Sequence, residues 1–159
     1  LKTLPHEVGK KIETLLQDLK QKEKELEALQ AKLAKQATGD ILNQVETINE
    51  VKAIIAQVQV PDMNSLRSLA DLIKDKLGSG VIVLGATSKD KVNFVTMVTP
   101  DLVQKGLHAG NILKETAKVA GGGGGGRPDM AQAGGKKPEM ASQALDKARE
   151  TIAAQLSRG

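Results

Sequence analysis

Six consecutive glycines, Gly121–Gly126, constrain this 159-residue chain more than any other feature. Glycine loses more backbone freedom on folding than any other residue and is a poor helix former, so a helix running into Gly121 must end there. The run passes without serine or other polar filler into Arg127-Pro128-Asp129-Met130, which is stiff and specific, and on through Ala131-Gln132-Ala133-Gly134-Gly135 to Lys136 and Lys137. A flexible Gly/Ser linker has a different composition. Residues 121–137 therefore read as a surface loop that a ligand approaches closely, with backbone N–H groups and Arg127, Lys136 and Lys137 directed at anionic oxygens. The alternative is a mobile linker.

Charge supports the first reading. Lysine and arginine number 23 against 19 acidic residues, a net charge of +4. The excess is concentrated, since residues 105–137 hold six basic and two acidic groups together with ten of the 16 glycines. Positive charge and exposed backbone coincide there, which points to an anionic partner. Phe94 is the only aromatic residue, so the chain has no platform on which to stack unpaired bases. Cysteine is absent, which excludes disulfides, thiolate zinc sites and thiol nucleophiles and suits a cytoplasmic address. No apolar run approaches the roughly 20 residues of a membrane span. The chain begins at Leu1 with neither an initiator Met nor a signal-peptide pattern, and is expected to be a piece of a larger protein.

The pattern divides the chain in two. Residues 1–38 place apolar side chains at Val8, Ile12, Leu15, Leu19, Leu26, Leu29 and Leu33, in alternating steps of four and three with Lys22 at the remaining seam position. This is a heptad repeat of about four turns of the pattern. It fits either a helix lying on its own domain or a coiled-coil arm, and the nearly unbroken charged face favours the arm. Thr3 is the expected N-cap, Pro5 and Glu7 suit a first turn, and Gly39 is the expected stop.

Residues 39–159 predict a small globular α/β domain with a mixed sheet covered by helices. Ile41, Leu42, Val45 and Ile48 suit a short helix. Val51–Val60 is a β-branched strand ended by Pro61. Residues 62–77 repeat apolar positions as an amphipathic helix closed by Gly78, followed by strands over 81–84 and 92–98 about a Ser88-Lys89-Asp90 turn. A right-handed crossover makes the first two strands parallel, and the hairpin adds an antiparallel third. Further helices are expected from Pro100, over 107–119, and from Pro138 to about Leu156.

Catalytic and metal-binding motifs fail on their own chemistry. A P-loop needs Lys and then Ser or Thr after its last glycine, whereas Gly126 is followed by Arg127 and Pro128. A GxGxxG match inside a glycine run is automatic and has no strand before it. His6 and His108 stand in segments of different character, with no second metal ligand near either. His108 remains a structural or an RNA-facing polar group. The carboxylate pairs Asp71/Asp75 and Glu23/Glu27 share helix faces as solvated surface. No catalytic residue and no metal site is predicted.

The stretch from His108 to Lys136, HAGNILKETAKVAGGGGGGRPDMAQAGGK, resembles the signature of the C-terminal (C-Ala, DHHA1-type) domain of alanyl-tRNA synthetases. The similarity extends upstream through the strand-helix-strand region to the heptad segment, which resembles the helical linker to that domain. A related module follows the catalytic domains of DHH-type phosphoesterases, where a His after the glycines helps hold substrate phosphate. Arg127 stands at that position here, which favours the synthetase branch.

The resemblance implies a module that docks on the outer corner of the L-shaped tRNA, helping the aminoacylation and editing domains act on one molecule, and that dimerises in some members. The parent would be a ligase charging tRNA-Ala, with ATP, magnesium and an editing-domain zinc used elsewhere and no cofactor in this segment. Its partners would be tRNA-Ala, the other domains of the synthetase and a possible second copy, with neither membrane nor DNA. RNA helices present phosphates, 2′-hydroxyls and shape, so contact by basic side chains and bare backbone is the mode this composition allows. Lys105, Lys114, Arg127, Lys136 and Lys137 are the expected phosphate contacts. Gly123, Gly124, Gly125, Gly126, Gly134 and Gly135 admit the RNA to the main chain, and Asn111 and Gln132, with His108 beside them, supply polar groups. Asp129 is expected to pin Arg127, and Met130 to pack beneath the loop.

Overall fold

β-Branched runs need partners on both edges, and in this chain they find them in one six-stranded sheet. The computed structural model describes residues 5–158, without the side chains of residues 5–7, 34 and 37. The expected N-cap, Thr3, lies outside the described residues, as do the side chains of Pro5 and Glu7.

Two units compose the chain, Leu1–Gln36 and Ala37–Gly159. The first is helical throughout its described part and belongs to α1 (Pro5–Leu42). Its heptad residues, from Val8 to Leu33, are 42–67% exposed.

In the second unit α1 runs past Gly39 to Leu42, which corrects the expected stop. An interior glycine costs a helix about 1 kcal/mol, and here the extra turn carries Ile41 into the core at 3% exposure. The short helix expected over 41–48 is likewise absent. Ile41 and Leu42 finish α1, and β1 (Glu46–Ile48) pairs antiparallel with β2 (Val51–Val58) across an Asn49-Glu50 turn whose φ values are 46° and 71°. Positive φ at both corner residues matches the right-handed twist of the strands.

The next elements follow the predicted pattern. α2 (Met63–Leu77) starts where Asp62 accepts a 2.7 Å hydrogen bond from the Ser65 N–H, and closes at Gly78 with φ 79°. β3 (Val81–Thr87) runs parallel to β2, and β4 (Val92–Val98) returns antiparallel. α3 (Pro100–Gln104) and α4 (Ala109–Val119) come next, then β5 (Gly123–Gly126), β6 (Met130–Gly135) and α5 (Ala141–Ser157). The sheet order is β1-β2-β3-β4-β6-β5, a mixed sheet as expected, with three more strands than the hydropathy pattern shows.

Two of those strands correct the reading of residues 121–137 as a loop. Residues 123–126 form an edge strand and 130–135 pair with both β4 and β5. Ala131 and Ala133 alternate into the core, but alanine is too small to register as a strand signal.

Each face of the sheet has its own core. Phe94, Ile112, Leu113, Ala131, Ala133, Leu145 and Ile152 pack between the sheet and α4 and α5. Ile54, Leu66, Ile73, Ile82, Leu84 and Met97 pack under α2, with Ile41 and Met130 joining them. Arg149 of α5 clasps β1 through a 2.8 Å bond to Glu46, which raises the guanidinium pKa, and it also bonds Asp146.

Glu50 holds a left-handed conformation that costs a side-chain-bearing residue about 1–2 kcal/mol. Glu50→Gly is therefore expected to raise stability by about 1 kcal/mol, read as a higher urea midpoint at unchanged m-value.

Candidate nucleic-acid interface

The glycine strand is held on two sides. Along one, Gly123 pairs with Gly134, Gly124 with Ala133, Gly125 with Gln132 and Gly126 with Ala131. The ribbon turns at Pro128-Asp129, where the Arg127 N–H donates to the Met130 carbonyl at 2.9 Å. On the other side lies α4, and hydrogen bonds join it to the ribbon at both ends. Ala109 N–H donates to Pro128 O at 2.9 Å, Gly122 N–H to Ala117 O at 2.9 Å and Lys137 N–H to Ala120 O at 3.0 Å.

The expected cations take up the two ends of this ribbon. Arg127 sits at the turn, 3.4 Å from the Asp129 carboxylate, and both are exposed. Lys136 and Lys137 follow the opposite end, where the Lys137 stem lies beside Gly121. Exposed pairs such as Arg127–Asp129 are worth little to stability and leave the guanidinium available to an anion. Met130 is half-buried against the core under α2.

His108 has a structural place. It is the N-cap of α4, its Nδ1 accepts from the Asn111 N–H at 3.2 Å, and its own N–H donates to Gln155 Oε1 at 2.9 Å. The Asn111 and Lys114 side chains are exposed and belong to a different surface, a groove of about 670 Å³ between α4 and α5. Lys147 and Arg158 complete its basic lining, facing Glu115 and Glu150. Glu115 is held below the usual carboxylate range by the hydrogen bond from Lys118. Sequence reasoning missed Lys147 and Arg158 because α5 shows in sequence only its apolar stripe. Lys105, exposed, caps the end of α3. The structure thus brings the glycines, Arg127, Gln132, Lys136 and Lys137 together, and sets Asn111 and Lys114 apart from them.

Among the described residues no group of three or more His, Asp or Glu side chains is placed to hold a metal, and no helix is long and apolar enough to cross a membrane.

Because the His108 ring caps α4 at its junction with the ribbon, His108→Ala is expected to cost about 1 kcal/mol. His108→Asn, which restores a capping acceptor, should recover most of that loss, and thermal unfolding of the two variants side by side provides the check.

Comparison with known proteins gives the family and the fold. The DHHA1 domain family matches residues 35–154. Alanine–tRNA ligase of Alkaliphilus oremlandii is 47% identical over 99% of the chain, and that of Bacillus subtilis 52% identical over 91%. The chain spans only 18% and 16% of the length of these relatives. The crystal structure of the C-Ala domain from Aquifex aeolicus alanyl-tRNA synthetase superposes with a TM-score of 0.63 at 30% identity, covering 69% of this chain and 97% of that one. A DHH-domain protein described as a member of the s1p family of ribosomal proteins superposes over 79% of this chain and 31% of its own, with a TM-score of 0.52 at 15% identity, a likeness of fold alone. On the length and identity of these matches, the chain belongs to the DHHA1 domain family as a C-terminal domain of alanyl-tRNA synthetase.

Proposed function

We propose that this chain holds folded tRNA by its outer corner on behalf of a parent alanine–tRNA ligase. One observation carries the reading: an exposed edge strand without side chains, β5, in a ribbon fixed to α4 by hydrogen bonds, with Arg127 at one end and Lys136 and Lys137 at the other. The spacing suits an RNA surface, which offers phosphates to the cations and a close approach to the backbone between them. Lys105 and Lys114 would add phosphate contacts from other parts of the surface. On this reading the chain binds and orients, and adenylation, transfer and editing belong to other domains of the parent, along with its ATP, magnesium and zinc. The partners are then tRNA-Ala and those domains, at a cytoplasmic address.

The test is a titration of tRNA-Ala against the chain at several salt concentrations, with an unstructured RNA of equal length as control. Folded tRNA should bind more tightly, and Arg127→Ala with Lys136→Ala should weaken binding and flatten the salt dependence by about 0.7–0.9 for each phosphate no longer neutralised. Equal affinity for both RNAs would overturn the proposal.

A second role is favoured by the exposed heptad seam. Eight apolar side chains of α1 from Val8 to Leu33, Leu16 among them, stand in solvent. Each leucine buried by a paired helix returns about 2 kcal/mol. We infer that α1 pairs with α1 of a second copy, and expect sedimentation to show concentration-dependent dimers that Leu19→Asp with Leu26→Asp abolishes. A chain that stays monomeric at all concentrations would remove this role.

A further inference from the structure

Packing explains some glycines of the ribbon and leaves others unexplained. A Cβ at Gly122 would lie 1.8 Å from Gly134 O, at Gly124 2.3 Å from Ala133 Cβ, at Gly126 2.5 Å from Met130 O and at Gly135 2.7 Å from Ala120 O. These four are glycines because nothing larger fits. A Cβ at Gly123 or Gly125 would meet nothing within 4 Å, and one at Gly134 only ordinary contacts of 3.8 Å with Asn93 Oδ1 and Val92 O. None of the three has a positive φ. Neither space nor backbone conformation asks for glycine at these positions, and in a strand glycine is less stable than residues with side chains.

All three lie on one face. Gly123 is opposite Gly134, Gly125 opposite Gln132, and Gly134 opposite Asn93 of β4, whereas Ala131 and Ala133 point into the core on the side of α4. Gly123, Gly125 and Gly134 are exposed. Asn93 also lines a recess of about 240 Å³ with Asp62, Thr87, Ser88 and Lys91. No residue of β5 or β6 is charged. The Arg127–Met130 bond sets the antiparallel alternation so that Gly123 and Gly125 spend their N–H groups on β6. What remains on this face is a strip of methylene and peptide surface edged by the Gln132 and Asn93 amides, which both donate and accept hydrogen bonds. Such a surface carries no positive charge to hold a phosphate, and its mixed donors and acceptors suit the uncharged part of a nucleic acid.

We propose that this bare face is the seat for base and ribose surface of the folded RNA. Gly123, Gly125 and Gly134 stay free of side chains so that the RNA reaches the main chain, with the Gln132 and Asn93 amides hydrogen-bonding its edges, while the cations at the ribbon's ends hold phosphates. This rests on the tRNA-holding role and adds two things: which glycines contact the RNA, and a site residue, Asn93, outside the glycine segment.

The experiment compares the full chain with Gly123→Val/Gly125→Val and with Asn93→Ala/Gln132→Ala in titrations of tRNA-Ala at several salt concentrations, with melting recorded for each. Both variants should bind about tenfold or more weakly with an unchanged slope of log affinity against log salt and no loss of melting temperature. Native affinity in both variants, while the unsubstituted chain binds tRNA, overturns this inference and leaves the tRNA-holding role standing. The same holds for a loss of affinity that only tracks a collapse in melting in both variants. Failure of the unsubstituted chain to bind folded tRNA overturns both.

Discussion

The approach of β5 to β6 is closer than any side chain on its inner face allows. With Gly134 O 1.8 Å from where a Cβ of Gly122 would stand, and Gly126 O 2.7 Å from that of Gly110, strand, neighbouring strand and helix meet backbone to backbone. Interiors pack at near-crystalline density, so a single added carbon here would have to push α4 off the sheet. α4 covers the same face as α5, and Ile112 and Leu113 belong to the core that includes Phe94 and Ile152. The seating of the glycine strand therefore decides where one of the two helical layers lies.

That seating also makes a fixed surface of a composition that is flexible in isolation. Six glycines in isolation are among the most flexible sequences available, but the ladder to β6 and the bonds to both ends of α4 remove that freedom during folding. A ligand meeting the ribbon does not then have to order it, and affinity is not spent on that step. The two cation-bearing ends and the bare strip between them share one rigid frame. The groove between α4 and α5, with Lys114, Lys147 and Arg158, is a second surface built on the same helix.

Legibility followed side-chain size. α2 with its Gly78 stop, the parallel pair β2 and β3, and the hairpin to β4 are spelled by large apolar residues at regular spacing, and the structure has them nearly where the pattern puts them. β1 is three residues long and its signal, Glu-Thr-Ile, is too short to separate from the end of a helix. β6 alternates alanine and glycine with Met130 and Gln132, so its inward face looks like a loop. At the candidate site, the clustering of Arg127, Lys136 and Lys137 around the glycines was readable because they are neighbours in sequence. Asn93 and Lys147 were not, since only the sheet order and the α4–α5 packing bring them near.

By itself the sequence determined the division into a heptad segment and a mixed α/β domain, the basic and glycine-rich character of residues 105–137, and the family signature. These properties are local: periodicity, charge and motif survive in any one stretch of chain. Only the tertiary structure decided that the glycines form an edge strand, that His108 caps a helix, and that Gly123, Gly125 and Gly134 are bare on an open face while Gly122, Gly124 and Gly126 are bare because there is no room. A glycine reads the same in sequence whichever reason it has. The reason lies in what stands opposite its missing Cβ, and that is set by strand register and helix packing between residues distant in the chain.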